Sequence, residues 1–87
     1  VKFKPGDVIK HNKKSIAKMS NSMAIQAQVV RMKVIGIENE DLDIPSYQLL
    51  MVEGGGCNGF YENNTEFTFC SREIDSYLEI ACELPLP

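Results

Sequence analysis

The sequence predicts a mainly β fold: a small barrel or a strongly bent antiparallel sheet of five to six short strands, with one or two short helical turns. Three observations carry this. Apolar and polar residues alternate over short runs, as where Phe67 and Phe69 share one face and Glu66 and Thr68 the other. Turn residues punctuate the runs, at Pro5-Gly6-Asp7, at Gly54 to Gly59 and at Asn63-Asn64. The chain has 87 residues, 44% hydrophobic and 24% charged, which fits one small domain over 1–87. No run approaches the ~18 apolar residues of a membrane-spanning helix.

The elements follow in order. The turn at Pro5 to Asp7 leads into a short strand at Val8-Ile9-Lys10, which ends in the polar stretch from His11 to Ser15. The next segment supports two readings. Ile16, Met19, Met23, Ala27 and Val30 recur at helical spacing, with Ser15 as a candidate N-cap. Ser20, Asn21 and Ser22 are poor helix formers in its middle, and Ile25, Ala27 and Val29 alternate as in a strand. The reading chosen is a helical turn or irregular segment over 15–22. A long bent strand then follows over about 25–38, bulged near Val30-Arg31. Glu38 to Pro45 is an acidic loop, and Tyr47 to Glu53 a strand. Phe60 to Cys70 is read as one bent strand, or two joined at Asn63-Asn64. A helical turn over Ser71 to Asp75 precedes a strand from Tyr77 onward, with Leu78, Ile80, Cys82 and Leu84 on one face and Pro85 and Pro87 ending it.

A domain this small is marginally stable without further support. Cys57, Cys70 and Cys82 are odd in number and poorly spaced for a disulfide framework, and a zinc site would need all three with His11. Oligomerisation is therefore the expected support. With unpaired thiols and no apolar signal segment near the start, a cytoplasmic location is expected. Charge is unevenly placed. Residues 1–33 carry eight bases against Asp7 alone, and residues 34–87 carry Arg72 against eleven acids. Either a basic binding face or neutralisation across neighbouring strands accounts for this.

The opening Phe-x-Pro-Gly-Asp-x-Ile, Phe3 to Ile9, resembles the first strand of small SH3-like β-barrel proteins of bacteriophage and mobile-element type. A Met-x-Val-x-x-Ile strand (Met32 to Ile37), a Tyr-x-Leu strand (Tyr47 to Leu49) and a one-turn helix with a closing strand (Ser71 to Ala81) continue the likeness. Residues 11–30 and the glycine-heavy loop depart from it. The resemblance implies a non-enzymatic binding module, a fold that has many functions.

Chemistry-bearing motifs are few. Gly54-x-Gly56-x-x-Gly59 spells GxGxxG, but the residues that follow do not form the helix a dinucleotide fold requires. Its glycines can still offer backbone N–H groups to an anion, or simply make a hairpin loop. Lys10, His11, Lys13 and Lys14 form a basic cluster suited to phosphate contact or to a solvated strand end. These residues, Arg31, the loop residues Gly54, Gly55, Gly56, Asn58 and Gly59, and Tyr61 are the ligand-binding candidates. Phe60 and Tyr61 can stack on a base, dock a partner or enter the core. Met19, Met23 and Ile25 are the interface candidates. Any Ser-His or Cys-His catalytic pair would rest on His11 alone, so no catalytic residue, metal or cofactor is expected.

Two functions are carried forward. In the first, a homo-oligomeric binding protein of phage type occupies a host or phage protein and blunts a host defence. In the second, the basic residues and the glycine loop capture a nucleotide, a cyclic nucleotide or nucleic acid. A structural role in an assembly is a third option. A membrane partner is not expected.

Overall fold

The pattern of β3 (Ser46–Glu53) sets the architecture: Tyr47, Leu49 and Met51 are buried, while Gln48, Leu50 and Val52 between them are not. One face of the strand thus meets the core, as its period of two requires. The computed structural model describes residues 1–81, so the expected strand positions at 82–84 and the prolines beyond lie outside the described residues. β1 (Val8–His11), β2 (Arg31–Glu38), β3, β4 (Glu66–Cys70) and β5 (Leu78–Ile80) form one sheet in the order β4-β3-β2-β1-β5. All neighbours are antiparallel. Register shifts at Arg31/Met32 and Val34/Gly36 bend β2. Three short helices accompany the sheet: α1 (Lys13–Ala17), α2 (Asn21–Ala27) and α3 (Ser71–Tyr77). Among the described residues no helix is long and apolar enough to cross a membrane.

Two elements differ from the sequence reading. Residues 25–30 do not begin a strand: α2 runs to Ala27 and β2 starts at Arg31. Local capping decides this. Asn12, not Ser15, caps α1 by accepting from the Ser15 N–H at 2.9 Å. Ser20 caps α2 by accepting from the Met23 N–H. Ala27 and Val30, at helical spacing, are fully buried, whereas Ile25 and Val29 stay exposed. The strand expected over Phe60 to Cys70 shortens to Glu66–Cys70. Asn64 takes a left-handed φ of 72°, and its N–H donates to the Met51 carbonyl, which folds residues 60–65 into turns.

The core joins the inner faces of β1, β2, β3 and β5: Ile9, Met32, Val34, Tyr47, Leu49, Met51 and Leu78 pack with Phe3, Val30 and Ile74, and Phe67 of β4, partly buried, packs against them. Tyr47 fixes its end. The side chain is fully buried, and its hydroxyl accepts from the N–H groups of Lys2 at 2.8 Å and Phe3 at 2.9 Å. The hydroxyl donates to Asp75 Oδ1 at 2.6 Å. Burial, and then the bond to Asp75, push its phenol pKa up to about 12. The N-terminal segment, β3 and α3 are thereby tied at one atom.

Opposite charges meet across the sheet, with Lys10 paired in register with Glu79 and Arg31 with Glu53. The basic and acidic halves of the sequence are interleaved by the fold to that extent.

Tyr47→Phe is expected to destabilise the protein by about 1–3 kcal/mol, because the buried Phe3 N–H loses its acceptor. Urea melts at neutral pH check this, and an unchanged midpoint would refute it. Because the folded pKa is raised, this group's contribution is complete below pH ~10 and is lost as pH rises toward about 12. The wild-type protein should therefore lose stability over that window more steeply than the variant.

Candidate functional site

Among the described residues the sheet bends but does not close: β4 and β5 are its two ends. α3 starts directly after β4 and runs directly into β5, spanning about 10 Å at 1.5 Å per residue. An open cleft of about 440 Å³ occupies the inner face at this gap. Its floor takes Met32 from β2, Met51 from β3 and Leu78 from β5. Phe67 and Phe69 of β4 form one wall, and α1 and its C-terminal turn supply Lys18 and Met19. Glu73 and Tyr77 of α3 close one side, Phe60 and Tyr61 of the long loop another.

Ring contacts order these walls. Tyr61 stacks on Phe67 at 4.6 Å between centroids, and Phe60 meets His11 edge-on at 5.6 Å. Tyr77 is flanked by cations. Lys18 Nζ donates to its hydroxyl at 2.5 Å, and the ammonium groups of Lys18 and Lys14 lie 4.6 and 5.3 Å from its ring centre. The Lys18 hydrogen bond, foremost, lowers the Tyr77 pKa. His11 sits against the cleft, with Nδ1 2.8 Å from Ser15 Oγ in a shared hydrogen bond. Burial lowers the imidazole pKa, so the ring is neutral at pH 7.

The glycine loop works as a strap. Gly54 holds φ at 77°, and a Cβ there would lie 2.6 Å from the Val29 carbonyl oxygen; at Gly55 a Cβ would lie 2.1 Å from that of Tyr61. The Gly54 carbonyl accepts from Gln26 Nε2, and Asn58 Nδ2 donates to the Ser22 carbonyl at 3.1 Å, fastening the loop to α2. Two of the amides that an anion nest would use are engaged within the loop: Gly55 N–H donates to Asn63 Oδ1 at 2.9 Å and Gly56 N–H to the Tyr61 carbonyl at 3.0 Å. Gly59 instead borders the cleft beside Phe60.

The expected basic constellation is divided. Lys10 and Lys13 border a second depression with Ile16, Gln28 and Glu79, and His11 lines both hollows. Lys14 joins Lys18 at Tyr77. Arg31 donates to the carbonyls of Gln28 and Val30. The interface candidates also separate: Met19 lines the cleft, Met23 is half-buried on α2, and Ile25 is 69% exposed. Cys57 is an exposed free thiol and Cys70 a half-buried one. Lys18, Phe67, Phe69, Glu73 and Tyr77 escaped the list of site candidates. The shared face of Phe67 and Phe69 was the available signal, since two rings two residues apart on an edge strand meet whatever lies beyond the sheet. No family model, curated protein or solved structure matches the chain.

His11 is the sole histidine, so one imidazole resonance reports the cleft. Its titration by NMR should give a pKa below 6.5, and a value at or above 6.5 would contradict its desolvated setting. With the folded pKa lowered, the neutral ring's contribution holds above pH 6.5 and is lost as pH falls through the folded value. Acid destabilisation in that range should be weaker in His11→Gln.

Proposed function

We propose that the protein is a non-catalytic binding module that acts by occupying a partner protein, taking an apolar segment of it into the cleft. One observation carries this. Of the seven aromatic residues, five line the cleft: Phe60, Tyr61, Phe67, Phe69 and Tyr77. Tyr61 is 52% exposed and Phe69 43%, so apolar surface that would stabilise a core is instead held ready at an opening. Such concave aromatic surfaces supply anchor pockets in protein recognition. The serine–histidine pair at the cleft reads as structural. Ser15 is buried, and His11 packs edge-on against Phe60. The likeness to phage SH3-like barrels makes a host or phage protein the partner of this reading, with inhibition of a host defence as the consequence.

A nucleotide is the rival occupant, favoured by Lys14 and Lys18 beside the aromatic walls, where a base could stack and a phosphate pair. Thermal-shift titration with nucleoside and cyclic monophosphates tests it; no shift at millimolar ligand removes it. Self-association belongs to the main reading, because Ile25 and Val29 leave an apolar patch at the C-terminal part of α2. Sedimentation should show a larger mass for the wild type than for Ile25→Asp. A monomeric wild type would end that part of the proposal.

Selection of a random peptide display library on the immobilised protein should return sequences with apolar anchors. These should bind Phe69→Ser about tenfold more weakly, with cooperative melting preserved in the variant. A selection that returns nothing, or peptides indifferent to Phe69→Ser, would overturn the proposal.

A further inference from the structure

We infer that the cleft takes its partner as an extended strand added to the outer edge of β4, an inference that rests on the binding reading above. The ladder fixes which backbone groups are on offer. The Ser71 N–H donates to the Pro45 carbonyl at 3.0 Å and the Met51 N–H to the Thr65 carbonyl at 2.9 Å. With Tyr47 opposite Phe69 and Leu49 opposite Phe67, this phase turns residues 65, 67, 69 and 71 toward β3. The backbone groups of Glu66 and Thr68, and the N–H of Cys70, therefore point away from the sheet. Among the described residues no strand pairs with that edge.

The edge is lightly protected. β4 carries no lysine or proline, Glu66 is its one charged residue, and Thr68 and Phe69 are exposed beside it. The same strand sends Phe67 and Phe69 into the cleft. A strand laid on β4 would point every second side chain to the same side as these rings, with successive inward residues about 7 Å apart. Main-chain pairing then supplies affinity and the cleft supplies selection, as in recognition by strand addition.

Charge sets the rest of the partner's chemistry. Lys18 and Glu73 line the cleft, and Lys14 stands at the ring of Tyr77 outside that lining. The two ammonium groups gathered at one cleft-lining ring favour a carboxylate in the incoming segment. The partner is thus an extended peptide segment with apolar residues at alternate positions and an acidic residue beside them.

The test uses a blocked nonapeptide probe with leucine, phenylalanine and leucine at its third, fifth and seventh positions. Threonine fills the even positions, and aspartate stands at each end, in the phase of the apolar residues. Two isomers are N-methylated on alternate backbone amides, one set in each. Binding is expected, with one methylated isomer weakened about tenfold or more and the other near the parent. Hydrogen exchange at the Glu66, Thr68 and Cys70 amides should slow in the complex. Replacing the terminal aspartates by lysine should weaken binding several-fold and make it less sensitive to salt.

No binding at about 1 mM, or equal binding of parent and both isomers, would overturn the inference. So would unprotected β4 amides in the complex. Protection that appears in the protein alone as its concentration rises would make a second copy the occupant. Adenosine monophosphate that binds without protecting these amides would make it a nucleotide. If display-selected peptides still need Phe69 while the β4 amides stay unprotected, the cleft binds proteins and only the strand mode is wrong.

Discussion

The Tyr47 hydroxyl is the point on which the rest of the structure depends. It accepts two backbone N–H groups from residues 2 and 3 and donates to Asp75 on α3, while its ring, on β3, is fully buried. Without those bonds the phenol would be a desolvated polar group, costly in a small core. With them it joins parts of the chain 28 and 45 residues distant in sequence. α3 is only seven residues long and would be marginal alone, so its position comes from such ties and from burying Ile74. Because α3 links the two edge strands, the distance across the sheet's opening follows from the anchoring of α3 on Tyr47.

The cleft is a consequence of that arrangement. A five-stranded sheet that bends without closing leaves apolar inner-face residues facing a gap. Here the gap is bordered by three separate devices. α3 bridges one side. α1, capped by Asn12, whose Nδ2 also donates to the Ser76 carbonyl, sets another. The loop after β3 supplies Phe60 and Tyr61, held by turns that only glycine at positions 54 and 55 permits without displacing backbone. The loop thus shapes the cleft through its packing, and the Gly55 and Gly56 amides serve the loop's own geometry.

How far the sequence exposed this can be followed residue by residue. β3 was legible because Tyr47, Leu49 and Met51 alternate cleanly, and the closing helix and strand because Ser71 to Leu78 change period abruptly. Residues 20–30 were misassigned because two periods coexist there: Ile25, Ala27 and Val29 alternate, while Ala27 and Val30 keep helical spacing. The winner was decided by Ser20 as a cap and by hydrogen bonds from Gln26 and Asn58 to distant partners, which no local pattern contains. Asn63-Asn64 was rightly read as a turn, yet the residues before it fold into the loop. For the site, the lysines were visible but their grouping was not. Lys18 lies 59 residues from Tyr77 in sequence and touches it in space.

The allocation of aromatic residues favours the proposed binding role over a merely structural one. Phe3 and Tyr47 are the only aromatic residues in the buried core, in tilted contact at 5.9 Å. The remaining five surround an opening where two of them are about half exposed. Burying the exposed half of each of those two rings would contribute roughly 1 kcal/mol, a noticeable fraction of what holds a small domain together. A chain under constraint for stability alone would have drawn Phe69 and Tyr61 inward by closing β4 toward β5, because a closed barrel also removes two exposed edges. Instead α3 spans that gap and the glycine loop holds Tyr61 against Phe67 at its margin. The apolar surface forgone in the core is kept at a shaped opening beside an unpaired strand edge, which is the combination a partner segment can complete.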